Sequence, residues 1–178
     1  NNFNTPNVAV AATRFLENSG YRVALGEKKC CGRPMISKGM LGQAKENAAW
    51  NVDKFASYAE KGVPIVGLEP SCLLTLRDEY PEFIRTNAAK KVAENSFLFD
   101  EFVAREIKAE RLSFHPSGVG KQVLLHGHCH QKALVGTAPT VAMLKAAGYE
   151  VSEVDSGCCG MAGSFGFEKE HYDLSTKI

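Results

Sequence analysis

The chain has 178 residues, 44% hydrophobic and 23% charged, an ordinary soluble-globular composition with enough chain for one good core or two small lobes sharing one. Lys and Arg number 21 against 20 Asp and Glu, so the formal charge of +1 supplies no basic footprint for nucleic acid or for an acidic membrane surface. No apolar run approaches the roughly 18 residues that a bilayer span needs, so the chain is not expected to cross a membrane.

Residues 6–20, PNVAVAATRFLENSG, read as a helix that stops at Gly20. The following YRVAL, 21–25, alternates like a strand and leads into the loop GEKKCCGRP. A long helix is expected over 40–62, ending at Gly62, and a short buried strand over 63–69. Pro70 suits a helix start in PSCLLTLRDEYPEFI. Residues 95–112 read as one amphipathic helix on the spacing of Phe99, Phe102, Val103 and Ile107. After the turn-rich 113–121 come a strand at 122–127, the word HGHCHQKAL, a helix over 138–147 and a strand from Tyr149 to Val154. Strands alternating with helices give an α/β fold with parallel sheets and right-handed crossovers.

The chain is also an internal repeat. LENSGYRVALGEKKCCG (16–32) lies over LKAAGYEVSEVDSGCCG (144–160) without a gap, at a constant offset of 128. The expected organisation is a first unit at 1–112 lacking its leading strand, a linker at 113–121, and a second unit at 122–178. The second unit stops inside the helix after its Cys-Cys-Gly. If the repeat continued, a matching cysteine would fall at about position 200, as Cys72 follows Cys31.

All six cysteines follow strand-like segments: Cys30 and Cys31, Cys72, Cys129, and Cys158 with Cys159. Open α/β sheets build their sites at those carboxyl ends. Adjacent cysteines seldom bond to each other, and the chain is neither short nor core-poor, so reduced thiolates are the better reading than disulfides. A mononuclear zinc site prefers Cys-x-x-Cys, whereas adjacent cysteines reach two metal atoms of one cluster more readily. Glycine after the pair permits positive φ and close approach. Spacing therefore favours a polynuclear cluster and leaves zinc open. His126, His128 and His130 surround Cys129 and can ligate metal or carry protons. An extended segment would put the three histidines on one side and Cys129 on the other. Arg77, Asp78 and Glu79 read as a salt-bridged structural group, with a partner-docking rim near Cys72 as the alternative. Met161, Phe165 and Phe167 read as core or as a shield for the cysteines.

KCCGRP, GLEPSCLLTLRDEYP, HGHCHQKAL and DSGCCGMAGSFGFEKEHYDLS together resemble the cysteine-rich CCG domain family, which includes the cluster-bearing subunit of heterodisulfide reductase and the iron–sulfur subunit of glycolate oxidase. The nearest resemblance is to the C-terminal iron–sulfur part of FAD-linked 2-hydroxyacid dehydrogenases of the D-lactate or 2-hydroxyglutarate type. It implies an electron-transfer domain carrying an iron–sulfur cluster of [4Fe-4S] type. Cys30, Cys31 and Cys72 match one ligand set, and Cys129, Cys158 and Cys159 the other. FAD is expected on another domain or chain, and the partners would be that flavin unit and a downstream quinone or redox protein. The location implied is cytoplasmic, or at a membrane through partners. The chain departs from the family pattern at EPSC, with one cysteine where heterodisulfide reductase has Cys-x-x-Cys, and at Asn1, where the offset places the counterpart of Cys129. Two other readings stay open: a thiol or heterodisulfide reductase module, and a non-catalytic zinc-stabilised module.

Overall fold

The computed structural model describes residues 5–113, 115–157, 159–161 and 165–178. Helix α1 spans Pro6–Asn18, with Pro6 supplying the fixed φ of a first helical position. It stops at Gly20, whose φ of 89° lets Tyr21 N–H reach back to Leu16 O at 3.0 Å. Short α2 (Arg33–Ser37) and long α3 (Leu41–Glu60) follow, and α3 ends by the same device at Gly62. Strand β1 (Ile65–Gly67) then leads through α4 (Pro70–Arg77), α5 (Glu79–Phe83) and α6 (Asn87–Glu94) to β2 (Ser96–Leu98). β1 and β2 pair in parallel, with Val66 opposite Phe97.

The expected helix over 95–112 is therefore two elements. Ser96 and Leu98 are buried on one side of β2 while Phe97 lies under the Arg105 guanidinium, 4.2 Å away. Helix α7 (Phe99–Lys108) starts only after Glu101 turns back to accept Leu98 N–H at 3.0 Å. Ionic and capping contacts thus fix a boundary that hydrophobic spacing alone runs across.

The second half repeats the plan in miniature. Strand β3 (Gln122–Leu125), helices α8 (Cys129–Leu134) and α9 (Ala138–Ala146), and strand β4 (Glu150–Glu153) form another parallel crossover, with Val123 opposite Val151. At the offset of 128 the backbone matches closely. Gly148 has φ 90° against 89° at Gly20, and Tyr149 N–H bonds Leu144 O at 3.1 Å. The two Cys-Cys-Gly glycines, Gly32 and Gly160, also both take positive φ, 95° and 73°.

YRVAL is the exception. Residues 21–25 are not a strand, although their counterparts 149–153 carry β4. β4 is held by β3, whereas among the described residues no strand pairs with 21–25. Tyr21 is tied instead to α7, its hydroxyl donating to Glu106 at 2.9 Å and its ring edge-on to Phe102.

The core lies in the first half. Ala48, Val52 and Ala59 of α3 close on Leu76 of α4, Tyr80 of α5 and Ala89 and Val92 of α6. Among the described residues after Leu112, the buried positions are Gly118, Gly127, Gln131 and Gly160. The second half rests on the first through α7 against α9 and α4 against α8. Gln131 fastens that seam, donating to Asp100 and to Thr140, both at 2.9 Å. No helix among the described residues is long and apolar enough to cross a membrane.

Candidate metal centre

The Cys30–Cys31 step sits where α2, α3 and α4 meet. Gly32 forms the turn, and a Cβ on it would come within 3.4 Å of Ala44 Cα and Cβ in α3. Glycine thus serves the positive φ, while α3 packs against it at ordinary contact distance. Cys31 points inward and is 7% exposed, whereas Cys30 is exposed. Cys72 lies in the first turn of α4, directly after β1, which brings it beside Cys31.

The thiols interact. Cys31 is pushed up, first by donating a hydrogen bond to Cys72 and second by burial, against the Arg33 backbone N–H that donates to its sulfur. Cys72 is pulled down, first by that bond from Cys31, with burial and the Glu69 charge opposing. Arg33 places a guanidinium beside both sulfurs. Its own pKa is lowered by burial, while the negative charge near Cys31, Asp78 and Cys72 acts in the opposite sense. Arg33 Nε donates to buried Thr75 Oγ1 at 3.1 Å and its Nη2 pairs with Glu79, so it pins the Cys-Cys-Gly turn to the helices that follow Cys72.

Unit two supplies a second group. Cys129 is the first residue of α8, right after β3. With Cys159, His126, Gly127 and His128 it lines a cavity of about 320 Å³. Cys158 lies outside the described residues. The five described cysteines are free thiols.

The histidines do not alternate as an extended segment would have them, because α8 begins at Cys129. His126 shares the cavity with Cys129 and meets Ser156 Oγ at 3.1 Å. His128 caps α8: its Nδ1 accepts His130 N–H at 3.2 Å. That leaves the proton of neutral His128 on Nε2, which faces Ser71 Oγ at 3.1 Å. Ser71 adjoins Cys72 and His128 adjoins Cys129, so one hydrogen bond links the two cysteine groups. His130 turns toward Asp78 and Glu79, and the three bring ligand atoms within 4.8 Å of one another. Its pKa is lowered, chiefly by burial and then by the Arg33 and His128 charges.

Arg77, Asp78 and Glu79 are not one salt-bridged group. Arg77 reaches Glu101 of α7 with two bonds, at 2.8 and 2.9 Å, while Glu79 pairs with Arg33. Phe167 is 79% exposed and so is not core, and Phe165 stacks on His171 at 3.9 Å. Two residues that sequence reasoning passed over, Asn51 and Tyr80, underlie the Cys30–Cys31 step. Asn51 sat unremarked in a helix face, and Tyr80 beside a charged run.

Among the described residues, the sulfurs of Cys30, Cys31 and Cys72 do not gather within 4.8 Å of one another. A single zinc ion with Zn–S bonds of about 2.3 Å would hold thiolates about 3.8 Å apart. Cys31 and Cys72 stand close enough to interact, beside the Arg33 guanidinium and backbone N–H, without the three-thiol gathering that one zinc ion needs.

Residues 1–77 match the family of the cysteine-rich domain CCG. Residues 1–77 thus carry a CCG cysteine-rich domain. The chain is 32% identical over 181 residues to a subunit of the anaerobic glycerol-3-phosphate dehydrogenase of Escherichia coli, covering 99% of this chain and 45% of the relative. It is 28% identical over 169 residues to D-2-hydroxyglutarate dehydrogenase of Escherichia coli, covering 93% of the chain and 16% of the relative. It is also 28% identical over 169 residues to lactate utilization protein A of Bacillus cereus, covering 89% and 67%. The chain is thus homologous to parts of dehydrogenases, and it spans less than half the length of the first two relatives. No solved structure matches it.

Proposed function

We propose that this CCG chain is an iron–sulfur electron-transfer domain of a flavin-linked dehydrogenase. The observation that carries the reading is the grouping of Cys30, Cys31 and Cys72 around an adjacent-cysteine turn, with Arg33 facing the sulfurs. Those three would hold one cluster. Cys129 and Cys159, with His126 beside them, are donors for a second, together with Cys158. When bound, such a cluster accepts and passes on single electrons. The protein's own part is to present the thiolates at fixed spacing, to keep a cation and backbone N–H donors against them, and to bury one face of the pair. The link through Ser71 and His128 keeps the two cysteine groups in register.

The electrons would come from a reduced flavin on another domain or chain and leave to a quinone or redox protein. A small 2-hydroxy acid is the proposed substrate class of the complete enzyme, following the D-2-hydroxyglutarate and lactate names of two relatives. The higher identity to the glycerol-3-phosphate dehydrogenase relative favours a second reading, in which the oxidised substrate is an alcohol phosphate. No residue here is assigned to either chemistry.

The test is anaerobic reconstitution with iron and sulfide, read by metal analysis and visible absorption. Iron binding that falls in Cys31→Ser and Cys72→Ser supports the reading. Zinc binding with no visible chromophore would replace it with a structural zinc module. Thiol-driven disulfide reduction by the chain alone would replace it with a reductase.

A further inference from the structure

We propose that Asn51 and Tyr80 are positioning residues that clamp the backbone of the Cys30–Cys31 step and so set the directions of its two thiols. The inference deepens the proposed function and rests on Cys30 and Cys31 being its metal ligands. Asn51, on α3, is 2% exposed, and Tyr80, on α5, is 0% exposed. Two buried polar side chains would cost several kcal/mol unpaired, whereas apolar residues there would extend the surrounding core. Both spend their hydrogen bonds on the cysteine loop or on each other. Asn51 Oδ1 accepts Lys29 N–H at 2.8 Å. Its Nδ2 donates to Tyr80 Oη at 2.7 Å and lies 3.4 and 3.5 Å from the carbonyl oxygens of Lys29 and Cys30. The Tyr80 hydroxyl in turn donates to Cys31 O at 3.1 Å.

Three consecutive residues of a loop are therefore fixed by side chains from two helices. Cys31 is buried and Cys30 is exposed. Holding the peptide planes at 29–31 accordingly holds Cys31 toward Cys72 and Cys30 toward solvent. Linked buried hydrogen bonds of this kind act together, so loss of either member should release the same step.

The experiment compares the full chain with Tyr80→Phe, Asn51→Ala and the double variant. In the reduced, metal-free protein, alkylation by iodoacetamide is mapped by peptide mass at Cys31 and at Cys129. Each single variant should raise the Cys31 rate roughly three- to tenfold, the range expected for one lost buried hydrogen bond, and leave Cys129 unchanged. The double variant should add little to either single one. After iron–sulfur reconstitution, the visible and paramagnetic spectra of the single variants should broaden or shift at unchanged melting temperature of the second half. A variant that only loosens the fold would raise Cys31 and Cys129 alike, and that result overturns the proposal. So do unchanged Cys31 rates, or additive effects in the double variant. If Tyr80→Phe does not fold, Asn51→Ala decides alone. Failure of the wild-type chain to bind iron would refute the proposed function, while the alkylation rates would still decide the clamp.

Discussion

Replacing the glycine of the first Cys-Cys-Gly by alanine isolates what that residue type contributes. Gly32 has φ 95°, a conformation that costs an L-residue about 1–2 kcal/mol. The new Cβ would stand 3.4 Å from Ala44 Cα and Cβ and 3.6 Å from Ala44 O, at the edge of ordinary packing, so contact with α3 adds little unless the loop shifts. The stiffer unfolded chain returns ~0.4–1 kcal/mol. The expected net loss in Gly32→Ala is about 1 kcal/mol, or ~2–4 °C in melting temperature for a chain of this size. Two nearby glycines calibrate it. Gly39 has φ 75° and open space around its would-be Cβ, so Gly39→Ala carries the conformational cost alone. Gly42 lies in α3 with nothing within 4 Å, so Gly42→Ala should stabilise by roughly 0.5–1 kcal/mol. Urea unfolding followed through Trp50, the single tryptophan and part of α3, measures all three. The expected order of stability is Gly42→Ala, then wild type, then Gly39→Ala and Gly32→Ala at about the same level, with reduced iron uptake in Gly32→Ala only. A Gly32→Ala chain as stable as wild type, with full iron uptake, would refute the argument that the positive φ of this glycine shapes the cysteine turn.

Two further outcomes follow from contacts across the chain. Glu106 is buried and its carboxyl is pulled from 4.5 to about 2, chiefly by the Arg111 guanidinium, with the Tyr21 hydroxyl and Arg105 assisting against burial. A depressed carboxylate stabilises fully above its unfolded value and loses that contribution as pH falls from about 4.5 toward 2. The shift corresponds to at most about 3 kcal/mol, which screening at the exposed guanidiniums reduces to ~1–2 kcal/mol. Glu106→Gln should therefore lower stability at pH 7 by that amount and flatten its acid dependence below pH 4.5, as measured by urea unfolding at several pH values. A Glu106→Gln chain with the wild-type acid profile would show that the contribution lies elsewhere. Ser71→Ala should cost about 0.5–1.5 kcal/mol and free His128 Nε2, visible as a changed imidazole nitrogen shift by nuclear magnetic resonance. An unchanged shift would mean that the link between the cysteine groups is not made in solution.

Local chemistry was legible in the residues alone. The words Cys-Cys-Gly, the helix stops at Gly20 and Gly62, and the helix start at Pro70 depend on a few neighbouring residues, so they could be read off directly. The repeat was legible because the two copies carry the same residues at the backbone positions that need positive φ. Which cysteines meet was only half legible: strand–loop spacing pointed to one end of a sheet, but contact between Cys31 and Cys72 required β1 to set α4 beside the turn. The rest waited on the packed chain, because the deciding partners are far apart in sequence. YRVAL has strand alternation, yet a strand exists only with a ladder partner, and among the described residues none pairs with it. Ser96–Leu98 reads as helix until β1 supplies a parallel neighbour. Arg77 and Glu79 look paired in sequence and are pulled apart by Glu101 and Arg33. Asn51 and Tyr80, 29 residues apart, become one clamp only when α3 and α5 close on the same loop. Side-chain type sets what a residue can bond, and the packing of helices sets which bond it makes.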